Sequence, residues 1–118
     1  MIIVTWNVRG LGTFDKCLRV KNYLKSVKPD IIMLQETKIE NPKPFIFKCL
    51  GWGVIDEWAF IPAVGTSGGI FTGWSSNSWA VKQEIKQTYC LHMALECKST
   101  NVLYFFSNVY DLTQDEKE

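Results

Sequence analysis

Several things that would mark out a specialised chain are scarce here. There is one histidine, His92, and four cysteines, Cys17, Cys49, Cys90 and Cys97, with no CxxC pair and no Cys/His run of zinc-binding spacing. Cysteines so placed read as reduced and structural, in an intracellular protein, nuclear or cytoplasmic. Long apolar runs are missing too. Only Ile2–Val4 precede Thr5, with no basic stretch ahead and no small-residue cleavage site, so the start reads as a strand and not as a signal peptide. No segment is long enough to span a membrane. Strong net charge is absent, at +1 overall, although residues 1–60 hold nine Lys/Arg against six Asp/Glu. That excess is a weak hint of polyanion binding and carries no claim alone. There is no internal repeat and no low-complexity tract.

What the chain does have is apolar surface. Its 118 residues suffice for one domain and not two, and 47% hydrophobic with 14% aromatic residues implies large faces that need a partner layer. Residues 2–8 read as a strand covered on both sides, ending in Trp6-Asn7. Arg9-Gly10-Leu11-Gly12 is a turn, and Thr13 is the expected N-cap of a helix from about Phe14 to Val27, with Asp15 in its first turn. Phe14, Cys17, Val20, Leu24 and Val27 recur at helical spacing, opposite a basic side of Lys16, Arg19, Lys21 and Lys25 that reads as a solvated face. Pro29 ends the helix before a second buried strand, Ile31 to Gln35. Strand, helix, strand makes a βαβ unit with parallel strands.

Beyond Lys38 the pattern changes. Asn41-Pro42-Lys43-Pro44 breaks the chain before an apolar, aromatic segment at 45–50. A short strand is expected at about Val54–Trp58, a glycine-bearing loop at 61–69, and a strand at about Gly69–Trp74. Alternating strands follow. Trp79, Val81 and Ile85 should share one face of 79–87, and Leu91, Met93, Leu95 and Cys97 one face of 90–97. The stretch Val102–Val109 is apolar throughout and reads as a central strand. After Tyr110 the chain turns polar and helix-prone. The expected fold is a mixed α/β sheet with one helix supplied and its other face uncovered, which predicts that the isolated chain aggregates or is molten.

The chemistry gathers at one rim. Asn7 and Glu36 end neighbouring parallel strands, and the carboxyl rim of an open α/β sheet is where ligands bind. A carboxylate closing a buried strand is costly unless it is paired or holds a cation. One carboxylate, with water and phosphate oxygens, is the usual way to hold Mg2+. The plain alternative is that Asn7 opens a turn and Glu36 pairs with Lys38 or Arg9. A dinucleotide-binding fingerprint is the other sharp reading. It fails at the third glycine, where Asp15 stands, and again at the antiparallel strands downstream.

Four stretches add to this: Trp6-Asn7-Val8-Arg9-Gly10-Leu11-Gly12, the run 28–38 ending in Gln35-Glu36-Thr37-Lys38, Ser67-Gly68-Gly69-Ile70, and Asn108-Val109-Tyr110. In this order they resemble the endonuclease/exonuclease/phosphatase superfamily, and most the apurinic-type endonuclease domain of plant LINE-type (non-LTR) retrotransposons. The resemblance implies half of a four-layered, deoxyribonuclease-like α/β sandwich. It implies that Asn7 contacts the active-site phosphate or water, that Glu36 binds catalytic Mg2+ (or Mn2+), with Asn7 beside the metal, and that Tyr110 hydrogen-bonds the scissile phosphate. Arg9, Thr37 and Lys38 become candidate nucleic-acid contacts, although Arg9 stands where some members carry a metal-associated Asp. The family's Gly-Asp-x-Asn and Ser-Asp-His motifs do not occur in these 118 residues. His92 lies mid-strand and matches no catalytic position. The expectation is therefore the N-terminal half of a Mg2+-dependent DNA endonuclease domain, inactive alone. Two alternatives stand beside it, a non-catalytic remnant that binds nucleic acid or a partner, and a phosphoesterase acting on a non-DNA phosphate.

Overall fold

A computed structural model describes residues 1–111 of the chain. The first helix shows how local chemistry sets its bounds. Thr13 is still extended, and its hydroxyl accepts the Lys16 N–H at 3.2 Å, so helix α1 (Phe14–Val27) starts one residue later. Asp15 faces the amino end of the helix dipole, and left-handed Lys28 (φ 56°) closes the other end by donating its N–H to Leu24 O at 2.9 Å. Cys17, Val20 and Leu24 form the buried stripe.

On either side of this helix run strands β1 (Ile3–Asn7) and β2 (Ile31–Gln35), parallel and with Asn7 opposite Gln35. Two further strands, β3 (Glu57–Ile61) and β4 (Ile70–Trp74), complete a four-stranded sheet in the order β1-β2-β4-β3, in which β4 runs antiparallel to both neighbours. The segment at 45–50 is a second helix, α2 (Pro44–Gly51), beyond the single helix expected. Pro44 presets its first turn, but Lys43 at the N-cap makes no side-chain capping bond, so no capping signal marks it. The strand expected at Val54–Trp58 is displaced toward Ile61. Trp52 is left-handed (φ 41°), and the N–H groups of Val54 and Ile55 both donate back to Gly51 O at 2.9 Å, so the chain is still leaving the helix at Ile55.

A separate sheet holds β5 (Trp79–Gln87), β6 (Cys90–Cys97) and β7 (Leu103–Val109), antiparallel and in that order. It does not extend the first sheet but lies over it. The helices cover one face of the first sheet around Val8, Leu24, Leu34, Leu50 and Phe71. The opposite face, with Ile31, Ile61, Ile70 and Trp74, packs on Leu91, Met93, Leu95 and Phe106 of the second. The layers run helices, sheet, sheet. This corrects the expected one-helix sheet with an uncovered face, while the mixed α/β class stands.

Two expectations for the second sheet also change. Among the described residues β7 is an edge strand, paired only to β6. Its continuous apolarity splits between the faces, since Phe106 points into the core while Phe105 is 74% exposed on the outside. In β5 a bulge at Lys82 puts Val81 opposite Leu95 but Gln83 opposite Ala94, which reverses the faces beyond it. Ile85 consequently stands opposite His92 rather than with Trp79. All four cysteines are free thiols. No helix among the described residues is long and apolar enough to cross a membrane. The helix-prone reading after Tyr110 concerns residues 112–118, outside the described residues.

Candidate active site

The pairing of β2 with its neighbours does not stop at the strand end. Gly10 N donates to Glu36 O at 2.7 Å and Leu11 N to Thr37 O at 2.9 Å, so the parallel ladder runs on into both loops. On the other flank, Thr37 N donates to Gly69 O at 3.1 Å and Lys38 N to Gly68 O at 2.8 Å. Residues 36–38 are thus clasped between the turn after β1 and the Gly68-Gly69 loop before β4. Glycine is required at Gly69. Its φ is +94°, and a Cβ there would collide with Thr37 Oγ1.

Within this clasp the backbone is held in left-handed conformations. Arg9 (φ 54°), Gly10 (98°), Glu36 (56°), Lys38 (59°), Gly68 (80°) and Gly69 (94°) all have positive φ. For a residue with a Cβ this costs about 1–2 kcal/mol, so Glu36 and Lys38 hold it against their own preference. The result is a carboxylate turned inward. Glu36 is 1% exposed, and among the described residues no hydrogen-bond donor meets either of its carboxylate oxygens. Its ion-pair partner among the described residues is Lys38, whose Nζ lies 3.3 Å from Oε1 but out of hydrogen-bonding alignment.

Asn7 ends β1, half-buried, with its Oδ1 accepting the Arg9 N–H at 3.1 Å, so its Nδ2 donors are the part of the amide this turn does not use. Tyr110 is buried at the end of β7. Its N–H donates to Tyr89 O at 2.9 Å, and its ring lies beside Gly68, where a Cβ would come 3.7 Å from Cε2. Gly68 holds Lys38 and Gly69 holds Thr37, so Glu36, Lys38 and Tyr110 belong to one rim, with Asn7 one strand away. Arg9 is exposed on this rim. Thr37, the other residue expected near the nucleic-acid backbone, is 0% exposed, with its hydroxyl against Gly69. Lys38 is half accounted for as the partner of Glu36.

Sequence reasoning missed the polar network beneath the rim. Gln35 Nε2 donates to Asn108 Oδ1 at 2.8 Å, to Thr5 Oγ1 at 2.9 Å and to Met33 O at 3.1 Å. Asn108 Nδ2 in turn donates to Phe71 O at 2.9 Å, Thr72 Oγ1 at 3.1 Å and Leu34 O at 3.3 Å. The one signal was a lone amide inside the apolar run 102–109.

Among the described residues no three His, Cys, Asp or Glu side chains cluster as a metal centre. A divalent cation here would rest on one carboxylate, an amide and solvent or phosphate oxygens. That all-oxygen set suits Mg2+ or Mn2+, and the buried, non-hydrogen-bonded Glu36 is the group such an ion would compensate. His92 stands apart, on the outer face of the second sheet.

No protein-family model matches the sequence, and no curated protein matches it. Solved structures do. The AP endonuclease LMAP from Leishmania major superposes on 97% of this chain with a TM-score of 0.63 and 20% identity. The Xenopus laevis APE2 catalytic domain superposes on 98% with a TM-score of 0.61 and 20% identity. D. rerio TDP2, complexed with a single-strand DNA product, superposes on 94% with a TM-score of 0.56 and 18% identity. The chain spans about half the length of these structures, namely 43%, 48% and 46%. With the layers and strand order described above, these likenesses give the chain the deoxyribonuclease-like fold of the endonuclease/exonuclease/phosphatase type.

Proposed function

We propose that this chain is the N-terminal half of a Mg2+-dependent phosphodiesterase domain that nicks DNA, of the LINE-type retrotransposon kind, acting inside the cell in nucleus or cytoplasm. The observation that carries the reading is the carboxylate of Glu36, buried on the ligand-binding rim with no hydrogen bond among the described residues to offset its charge. The likeness to AP endonucleases and to a TDP2 holding a DNA product supports the choice of substrate. Glu36 would hold Mg2+ or Mn2+, with Asn7 beside it. Bound there, the ion would stabilise charge building on the phosphodiester oxygens. Asn7 orients a phosphate oxygen through Nδ2, its Oδ1 being held by the Arg9 N–H. Tyr110 donates its phenolic O–H to the scissile phosphate, and the exposed Arg9 meets the nucleic-acid backbone.

No general base stands on this rim among the described residues, so the chain alone hydrolyses phosphodiesters poorly or not at all. Supercoiled plasmid incubated with the chain and Mg2+ should stay at the background level of nicked circles. Nicking that Glu36→Ala abolishes would show that these residues suffice, and the half-domain reading would be wrong.

A second reading is favoured by Lys38. Its ammonium sits 3.3 Å from Glu36 Oε1, so the chain carries its own cation at the metal position. On that reading the chain is a non-catalytic remnant that binds nucleic acid through its basic residues. DNA binding that weakens steeply with salt and is indifferent to Glu36→Ala would favour it, whereas binding strengthened by Mg2+ and lost in Glu36→Ala favours the first.

A further inference from the structure

The outer face of the second sheet carries a constellation that the rim does not use. Cys90 and His92, two apart on β6, point to the same side. Cys90 Sγ lies 3.1 Å from His92 Nε2 and 3.8 Å from Nδ1, and His92 Nδ1 lies 2.7 Å from Ser107 Oγ on the neighbouring β7. His92 and Ser107 are paired across the ladder, so two strands fix the ring. With its proton on Nδ1, the imidazole donates to Ser107 Oγ and leaves Nε2 to accept from the Cys90 thiol. Nucleophile, base and orienting hydroxyl then stand in the order that activates a thiol. Cys90 and His92 are both partly open to solvent. Next to His92 and Ser107, and not lined by Cys90, lies a hollow of about 110 Å³ whose walls include Gln83 and the apolar Ile85, Ala94 and Phe105.

We propose that Cys90 is a base-activated nucleophilic thiol, a covalent modification site for soft carbon electrophiles of the α,β-unsaturated carbonyl class, with His92 as its base and Ser107 as the residue that positions His92. The step balances without a further reactant. The thiol proton passes to Nε2 as the S–C bond forms at the β-carbon, the C=C π pair moves to the α-carbon, and that carbon takes the proton back from Nε2. The product is a thioether and the imidazole is regenerated. Burial pushes the Cys90 thiol up, so at neutral pH it rests protonated and needs the base.

The test uses the full chain and N-ethylmaleimide in short pulses, with the adduct on each cysteine quantified by peptide mass spectrometry. Cys97, the last residue of β6 and away from this cluster, serves as the internal reference. His92→Gln should slow labelling of Cys90 about tenfold or more while Cys97 keeps its rate. Added free imidazole should restore part of the loss in His92→Ala. Ser107→Ala should slow Cys90 by a smaller factor, and Ser107→Thr should recover it, as a positioning role requires. Should the His92 variants loosen the fold, which buried Cys17 would report by becoming reactive, the Ser107 pair gives the same decision. The proposal is overturned if Cys90 labels at the same rate in wild type and in the folded variants, or if it fails to label in the wild type while Cys97 does.

Discussion

Gln35 and Asn108 lie 73 positions apart, yet Gln35 Nε2 donates to Asn108 Oδ1 at 2.8 Å, joining the carboxyl end of β2 to β7 across the space between the sheets. Asn108 is 1% exposed, and its amide also serves two carbonyls and a hydroxyl of the first sheet. The layer is otherwise apolar, so these bonds fix how one sheet sits on the other, and hence where Tyr110 falls relative to Glu36. Replacing Asn108 by Leu would leave Gln35 Nε2, Thr72 Oγ1 and two backbone carbonyls short of partners. The expected loss is about 3 kcal/mol or more, read as a lower urea midpoint at unchanged slope.

Glu36→Gln should move stability the other way. The substitution keeps the shape and removes a buried charge whose only ion-pair partner among the described residues is Lys38. In metal-free buffer the variant should be more stable than wild type by about 1–2 kcal/mol. Millimolar Mg2+ should raise the wild-type melting temperature by mass action and leave Glu36→Gln unchanged. A Mg2+ response that survives in the variant would place the ion elsewhere.

Cys97 should ionise early. Hydrogen bonds from Ser99 first, then Thr100, favour its thiolate and bring its pKa from 9.0 down to about 7. An acid whose folded pKa is depressed adds stability that is complete above the unfolded value near 9 and is lost as pH falls through about 7. In kinetics, the pH profile of Cys97 alkylation should have its midpoint near 7. Ser99→Ala combined with Thr100→Ala should move that midpoint up toward the ordinary thiol value. An unmoved midpoint would show that these hydroxyls do not hold the thiolate.

Self-association should trace to the outer face of the second sheet. The expected aggregation stands on a different surface from the one the sequence suggested, because the first sheet is covered on both faces. Leu103, Phe105 and Val109 of β7 are exposed together on an edge strand, Phe105 at 74%. Phe105→Lys should shift sedimentation toward monomer and change unfolding free energy by no more than about 0.5 kcal/mol. Unchanged sedimentation would exonerate this face.

Much of the first half of the fold could be read from residues alone. Thr13, Asp15 and the apolar spacing from Phe14 to Val27 bounded α1 because capping and periodicity agreed. Ile31–Gln35 stood out because a strand buried on both faces leaves an unbroken apolar run. The second half was less legible for physical reasons. Helix α2 is short and lacks a capping side chain. Antiparallel strands look alike whether they extend one sheet or begin another, so the second layer was invisible. The bulge at Lys82 and the edge position of β7 depend on pairing partners, which local sequence does not encode. At the site, Glu36 was legible as a carboxylate closing a buried strand. Asn108 and Gln35 were not, since a polar residue in a strand ordinarily faces water.

The left-handed backbone at Glu36 and Lys38 has a consequence for anyone engineering this chain. At both positions glycine would relieve the conformational cost, and a redesign guided by stability alone would choose it early. Such a redesign would erase the carboxylate and its partner before it touched the core, and would deliver a sturdier protein with a blank rim. Keeping Glu and Lys at these two dihedrals forgoes an easy gain in stability and leaves a carboxylate and an ammonium side by side on the rim.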